Sequence, residues 1–210
     1  MMKNILLCAA MLSLTGCFSL TSSKIPPTTY ALHPAPYSGQ AEGAPATVVV
    51  ITVPEPALPA GFETDKIALY LQNGRRLDYY SGARWPGFLD EVLQDIIVET
   101  GKLAIPGVIF DDGDIRLPAR YKLAVSVSDF SPVYQNGPED LPLLKAAMTF
   151  TLIKMPDNIV ITRFTKRSEQ LAAANTLTAI TTGLEALLQA ILAESFYDIA
   201  PLVRSAAKRI

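Results

Sequence analysis

The chain has 210 residues, with 18 Lys and Arg against 20 Asp and Glu, a single histidine and a formal net charge of −2 at neutral pH. This balance argues against a nucleic-acid partner, because a nucleic-acid-binding domain is expected to carry a strongly basic face. Two cysteines cannot form a cysteine-rich metal site, and the length suits one domain that buries most of its apolar surface.

The first 16 residues are typical of a secretory signal. Lys3 supplies a positive charge, residues 5–14 form a short apolar stretch, and small residues come before Cys17. The ending Leu14-Thr15-Gly16-Cys17 resembles the lipobox of bacterial lipoproteins. We therefore expect residues 1–16 to be a lipoprotein signal peptide and Cys17 to become the lipidated N-terminus. An ordinary signal peptide with an incidental cysteine is the alternative.

The lipobox resemblance implies that Cys17 forms a thioether to a diacylglycerol and that its freed amine is acylated, so that two or three chains attach the protein to a membrane. Phe18 follows in place of Asp, which by resemblance to enterobacterial sorting rules favours the periplasmic face of the outer membrane over the inner membrane. No later stretch has about 18 uninterrupted apolar residues, so we expect the lipid to be the only membrane anchor. After cleavage Cys17 is the sole cysteine, which excludes an intramolecular disulfide.

Prolines and small residues dominate the stretch after Cys17. We assign residues 17–46 to the lipidated cysteine and a flexible tether, because the prolines prevent a regular helix there. For Thr29 to Leu32 an edge strand is the alternative. The lone His33 also lies in this segment. The folded domain is expected to cover residues 47–210.

The first half of that domain has three strand patterns and one helix pattern. Residues 48–53 are a β-branched run before Pro54, typical of a central strand that is buried on both faces. Residues 66–71 and 75–80 flank Asn73-Gly74, which predicts a hairpin with positive φ angles in its turn. Apolar side chains then recur at helical spacing between Pro86, expected in the first turn, and Gly101, expected just past the helix end.

The second half continues with strands and ends in a helix. Alternation from Tyr121 to Ser128 predicts a half-buried strand. Residues 143–154 and 159–167 flank a turn signal and predict an antiparallel hairpin. A second amphipathic helix is expected from about Asn175 to Tyr197, with Gly183 at a close packing contact. The order predicts an α+β fold, with a mostly antiparallel sheet and two amphipathic helices packed on it.

No group of residues has the spacing of a catalytic or cofactor site. Asp111 to Asp114 match part of a calcium loop, but no closing Glu follows and Pro118 interrupts, so a solvated turn is favoured. The lone His33 on a tether cannot readily orient a nucleophile. Three acidic residues recur every four positions on one helix face, which favours an exposed surface over an acid/base pair: Glu91, Asp95 and Glu99. We expect no enzymatic activity, no metal and no cofactor.

Two features leave a structural and a binding interpretation open. Trp85 is either a core anchor at the start of the first helix or part of a binding face. On the back of the last helix, Thr182, Ala186 and Gln189 align at helical spacing where charged residues are usual. They form a candidate interface for a subunit or a partner, and a merely exposed face is the alternative.

Five short motifs follow one another along the chain. They are the lipobox cysteine, Tyr30-Ala31-Leu32 in the Pro-rich tether, Val53-Pro54-Glu55-Pro56-Ala57-Leu58-Pro59 after the first strand, Lys66-Ile67-Ala68-Leu69, and Arg84-Trp85-Pro86 before the first helix. In combination they resemble the ABC-type transport auxiliary lipoproteins, the PqiC/YmbA-like family. Family members often have a small residue where this chain has Pro86.

The family resemblance implies an outer-membrane-anchored periplasmic lipoprotein that acts as a non-catalytic auxiliary component of an ABC/MCE-type intermembrane lipid transport system. Its partners would be an MCE-domain periplasmic protein and the ABC or membrane partner of that protein. The lipid anchor would hold it to the membrane, and a homo-oligomer is left open. The alternative is a structural or assembly lipoprotein of another outer-membrane complex.

Overall fold

The computed structural model describes residues 26–36, 48–113 and 117–207, with the backbone alone for residues 206 and 207. The predicted signal peptide, Cys17 and the domain start at residue 47 lie outside the described residues and stay predictions. The described strands are β1 Thr28–Thr29, β2 Val49–Thr52, β3 Lys66–Leu71, β4 Arg76–Arg84, β5 Val108–Asp111, β6 Tyr121–Val133, β7 Leu143–Lys154 and β8 Ile159–Leu171, and the described helices are α1 Leu89–Ala104 and α2 Leu177–Ala207.

The long strand β6 organises the sheet. It pairs antiparallel with β7 along its whole length, and β7 pairs antiparallel with β8. The other edge of β6 is shared, because β2 pairs with it at Tyr121 and β3 pairs with it at Val133, both in parallel. Beyond these, β5 pairs in parallel with β2, β4 pairs antiparallel with β3, and β1 pairs in parallel with β4.

The sheet is therefore mixed, and the prediction of a mostly antiparallel sheet is wrong, whereas the α+β class with two helices is confirmed. Strand direction depends on the connections, since a parallel pair needs a crossover of about a dozen residues or more. The chain between β2 and β5 contains α1 and supplies such a crossover. Side chains alternate in the same way in both directions, so the sequence pattern did not distinguish them.

Both predicted hairpins are present. Leu71 of β3 pairs with Arg76 of β4 across a turn in which Gln72, Asn73 and Gly74 have φ angles of 53°, 55° and 86°. Glycine and asparagine adopt this left-handed conformation at the lowest cost, which is why Asn-Gly was an informative signal. The β7–β8 hairpin turns at residues 155–158, and the predicted central strand is β2, with a paired strand on each side.

Helix α1 begins and ends later than its end signals predict. It begins at Leu89, so the expected place of Pro86 in the first turn is wrong, and it runs to Ala104, past the expected stop at Gly101. Gly101 is buried inside the helix, next to the ring of Phe110 in β5. A Cβ at this position would lie 2.6 Å from a ring carbon of Phe110, which is too close for any residue other than glycine. Close packing against β5, a strand that the sequence analysis missed, therefore accounts for this glycine.

Helix α2 is also longer than predicted. The Thr176 hydroxyl accepts a hydrogen bond from the Ala179 N–H at 3.3 Å and thereby caps its start. The helix continues beyond Tyr197 to Ala207, although Pro201 lies inside it. Proline in a helix interior costs about 3 kcal/mol, and the buried side chains around it, including Ile199 and Val203, offset that cost.

Both helices pack on one face of the sheet and against each other. At Gly183 of α2 a Cβ would overlap the Leu144 side chain of β7, so the predicted close contact at this glycine is confirmed. By length and composition α2 could cross a membrane over Leu177–Ser205, but half of its apolar window is buried inside the domain, as in the core helix of a globular protein. Trp85 is 2% exposed and lies 6.2 Å from Phe130 between ring centroids, which confirms the core interpretation.

Candidate interaction surfaces

The predicted interface residues lie on one side of α2, and they differ in their surroundings. Thr182 and Ala186 are exposed, while Gln189 is partly buried. The Gln189 amide donates hydrogen bonds to the backbone oxygens of His33 at 3.3 Å and Pro34 at 3.4 Å. This third residue thus already contacts another part of the chain, and only Thr182 and Ala186 present a free surface.

The segment that contacts Gln189 belongs to the predicted tether. Residues 28–35 are called the docked segment below. They begin with β1, which pairs with β4, so the alternative of an edge strand at Thr29 to Leu32 is correct in part. Further along, Leu32 and Ala35 are 6% and 3% exposed, and the Ala35 N–H donates to the Thr100 hydroxyl of α1 at 3.3 Å. Two apolar side chains and several backbone contacts therefore hold this segment along β4, α1 and α2.

His33 lies in the docked segment and faces α2. Its Nδ1 is 3.3 Å from both carboxylate oxygens of Glu185, and its side chain is 70% exposed. An ion pair at so exposed a position contributes at most about 1 kcal/mol, and only when the imidazole is protonated. His33 therefore contacts the helix surface and has no serine or cysteine among its hydrogen-bond partners in the described chain.

The docked segment brings the domain close to Cys17 along the chain. Between Cys17 and Thr28 the chain has only the ten residues 18–27. Fully extended, this stretch reaches no more than about 40 Å. A lipid on Cys17 would therefore hold the domain closer to the membrane than a free tether of residues 17–46 would.

The acidic residues singled out in the sequence have two different environments. Glu91, Asp95 and Glu99 are exposed on α1, which confirms the interpretation as surface acidity. Asp111 is 4% exposed at the end of β5, and neither of its carboxylate oxygens has a hydrogen-bond partner among the described residues. The expectation of a solvated turn is therefore wrong for Asp111, because this residue is the last one of β5 and is buried with that strand. Asp114 lies outside the described residues. Within the described ranges, no group of three or more His, Cys, Asp or Glu side chains could hold a metal ion.

The face of β6, β7 and β8 that is turned away from the helices, called the open face below, carries a groove that the sequence analysis missed. A β-bulge between Val127 and Asp129 turns Phe130 into the core and Asp129 toward the open face. The groove has a volume of about 500 Å³ and is lined by Ser128, Asp129, Lys145, Ala146, Ala147, Arg167, Ser168 and Glu169.

Among the titratable groups that line this groove, Asp129 has a carboxyl whose pKa is shifted by its surroundings. Burial raises the pKa of its carboxyl, and the nearby charge of Glu169 raises it further. The hydrogen bond from the Ser131 hydroxyl, at 2.8 Å, and the charge of Lys145 act in the opposite direction on the pKa without cancelling the effect of burial.

The alternating serines of β6 indicated a polar face of this strand in the sequence. Only the strand register shows which residues of β7 and β8 lie beside them in the groove.

Solved structures of other proteins share this fold. A protein of family DUF330 from Xanthomonas campestris superposes with a TM-score of 0.65 at 19% sequence identity, covering 88% of this chain and 98% of that protein's chain. An uncharacterized protein superposes with a TM-score of 0.63 at 14% identity, covering 85% of this chain and 99% of its own. No family model and no curated protein matches the sequence. The likeness establishes a common fold across nearly the full length of both structures.

Proposed function

We propose that this protein is a lipid-anchored auxiliary lipoprotein of an ABC/MCE-type intermembrane lipid transport system, held at the periplasmic face of the outer membrane. The observation that carries the proposal is the shared fold with the DUF330 protein, which extends over 88% of this chain. It agrees with the resemblance of the sequence motifs to the PqiC/YmbA-like lipoproteins. The lipobox resemblance at Cys17 supports the anchor.

The role we propose is non-catalytic. The features of the described chain suit attachment and docking: a segment bound along two helices, an uncharged outward surface on α2, and a broad open face on the sheet. The partner we propose is an MCE-domain periplasmic protein, together with the ABC or membrane protein with which it works. Energy for transport would come from the ATPase of that system.

Lipid attachment is tested by Cys17→Ala and metabolic labelling with an alkyne fatty acid. We expect the wild-type protein to incorporate the label and to fractionate with the outer membrane, and the variant to remain unprocessed or to be released in the envelope without label. Cys8→Ala is the matched control, because this cysteine lies in the predicted signal and is removed with it. Undiminished labelling of Cys17→Ala would contradict the lipid anchor.

The transport role is tested by comparing deletions of this gene and of an MCE-domain partner. We expect both single deletions to weaken the outer-membrane barrier to the same extent, and the double deletion to be no worse than either one. Two unrelated phenotypes that add in the double deletion would contradict a shared system and favour the alternative, an assembly lipoprotein of another outer-membrane complex. Complementation with the Cys17→Ala variant separates the need for the anchor from the need for the domain.

A further inference from the structure

The strand β8 has one edge without a pairing strand in the described part of the chain. It is 13 residues long, from Ile159 to Leu171, and pairs only with β7. Helix α2 crosses its inner face, where Lys166 Nζ contacts Asp198 at 2.8 Å and the Gln170 amide donates to the Gly183 oxygen at 3.2 Å. The helix therefore covers a face of β8 and leaves its outer edge open, with backbone N–H and C=O groups that can bind a further strand.

Two arginines on this strand lack ionic partners. Arg163 and Arg167 are exposed and form no ion pair or hydrogen bond among the described residues. Directly across on β7 they meet Thr151 and Ala147, neither of which carries a charge. Because they are four residues apart, both side chains project on the open face, about 13 Å from each other along the strand.

The neighbouring charges on β8 are already matched. Lys166 contacts two carboxylates of α2, and Glu169 lies directly opposite Lys145 of β7. At the start of the strand Ile159, Val160 and Ile161 are 52%, 55% and 42% exposed. The open edge thus combines free backbone groups, apolar residues at one end and two unmatched cations in the middle.

A second copy of this chain fits the edge poorly. Two β8 strands would each bring the unmatched charges of Arg163 and Arg167 to the shared edge, so that these charges repel. Charged residues on an edge strand are a known means of preventing edge-to-edge association. The same two arginines attract a strand that carries carboxylates on the matching face.

We propose that the outer edge of β8 binds an extended acidic segment of another protein, which adds a strand to the sheet and places carboxylates beside Arg163 and Arg167. Backbone hydrogen bonds along β8 would supply the main contacts, and the two charge pairs would select the partner. The added strand would also cover the exposed aliphatic residues at the start of β8.

The test uses the detergent-purified lipoprotein and a fluorescent synthetic peptide of about nine residues, with alternating valine and threonine and two glutamates four positions apart. Binding is measured by fluorescence anisotropy. We expect saturable binding that weakens with added salt, and a loss of about tenfold or more in the double variant Arg163→Glu with Arg167→Glu. The matched double control, Arg75→Glu with Arg76→Glu, reverses two exposed charges at the turn between β3 and β4, on the other side of β6 from β8, and should leave the affinity within about twofold.

Strand addition is separated from simple charge attraction by N-methylation of alternate peptide bonds of the probe. Methylation of one alternate set removes the hydrogen bonds to β8 and should abolish binding, whereas methylation of the other set should be tolerated. Equal binding of both methylated peptides, equal loss in the control variant, or no binding up to about 1 mM would overturn the proposal. Dimerisation of the protein through β8 in sedimentation experiments would overturn it as well.

Discussion

The strands β6, β7 and β8 have one face packed under α2 and one face that no described element covers. On the inner face of β7, Leu144, Met148 and Phe150 are fully buried under α2. On the open face of the same strand, Lys145 and Thr151 are partly exposed and no described element covers them. The inner face accordingly holds the fold together, while the open face and the β8 edge are free to bind, so substitutions on the two faces should affect different measurements.

The largest difference is expected from a cavity on the inner face. Leu144→Ala removes a side chain that is 0% exposed and contacts the helix at Gly183, and it should lower the free energy of unfolding by about 2–5 kcal/mol. Denaturant unfolding measures it. The control on the open face of the same strand, Thr151→Ala, should change the free energy by less than about 1 kcal/mol. Equal losses at the two positions would contradict the distinction between the faces.

A smaller loss is expected when the same contact is overpacked. Gly183→Ala adds a Cβ that overlaps the Leu144 side chain, so strain should exceed the gain in helix propensity, with a net cost of about 1–2 kcal/mol. At Gly137 a Cβ meets nothing within 4 Å, so Gly137→Ala serves as the control. In the double variant with Leu144→Ala the cost of Gly183→Ala should largely vanish, and additive costs in this cycle would contradict a direct contact.

The open face supplies a third test, which depends on pH. Because burial raises the pKa of Asp129, the folded protein holds a proton on this carboxyl more strongly than the unfolded chain does. The stability this gives is complete below the unfolded pKa, near 4, and is lost as the pH rises through the folded pKa. Asp129→Asn should therefore stabilise the protein at pH 7, by less than about 1 kcal/mol, and have a smaller effect near pH 3.5.

Thermal unfolding of wild type and Asp129→Asn at several pH values measures this difference. Asp157→Asn, in the exposed turn between β7 and β8, is the control for the loss of one surface carboxylate. A variant that is less stable than wild type at pH 7 would show that the ionised carboxylate of Asp129 contributes to the fold.

The smallest change in stability is expected on the outward side of α2. Ala186 is exposed, so Ala186→Arg should leave the free energy of unfolding within about 0.5 kcal/mol of wild type. If Thr182 and Ala186 form the predicted interface, the variant should lose self-association or partner capture, as measured by analytical ultracentrifugation and pull-down. Thr178→Arg, about two turns nearer the start of the helix than Ala186, is the control for where that interface ends. Unaltered assembly would mean that this face is only solvent-exposed.

The local elements could be predicted well because short-range chemistry specifies them. Asn73-Gly74 favours a turn wherever it stands, and alternation from Tyr121 onward favours a strand with one buried face. Helix ends were less certain: Gly101 and Pro201 both lie inside helices, where packing outweighs their usual role as helix terminators. The residue type indicates a local preference for a helix end, but the packing contacts decide whether the helix ends there.

The candidate sites depended even more on contacts between distant segments. Gln189 was placed on the correct side of its helix, but its contact with His33 and Pro34 joins residues more than 150 positions apart. The burial of Asp111 follows from the pairing of β5 with β2, and β5 itself was missed. No local pattern contains such information, because it depends on which segment the fold brings into contact.

By itself, the sequence determined the type of each main element, the side of each helix and strand that turns inward, and the lipobox resemblance at Cys17. These features follow from residue size, polarity and spacing, which act over a few positions. Only the tertiary structure decided that β6 is shared by parallel and antiparallel neighbours, that residues 28–35 dock on the domain, and that no described strand pairs with the outer edge of β8. The reason is physical: periodicity specifies that a side chain is buried, whereas strand direction and docking depend on the chain connections and on the surfaces that meet across the core.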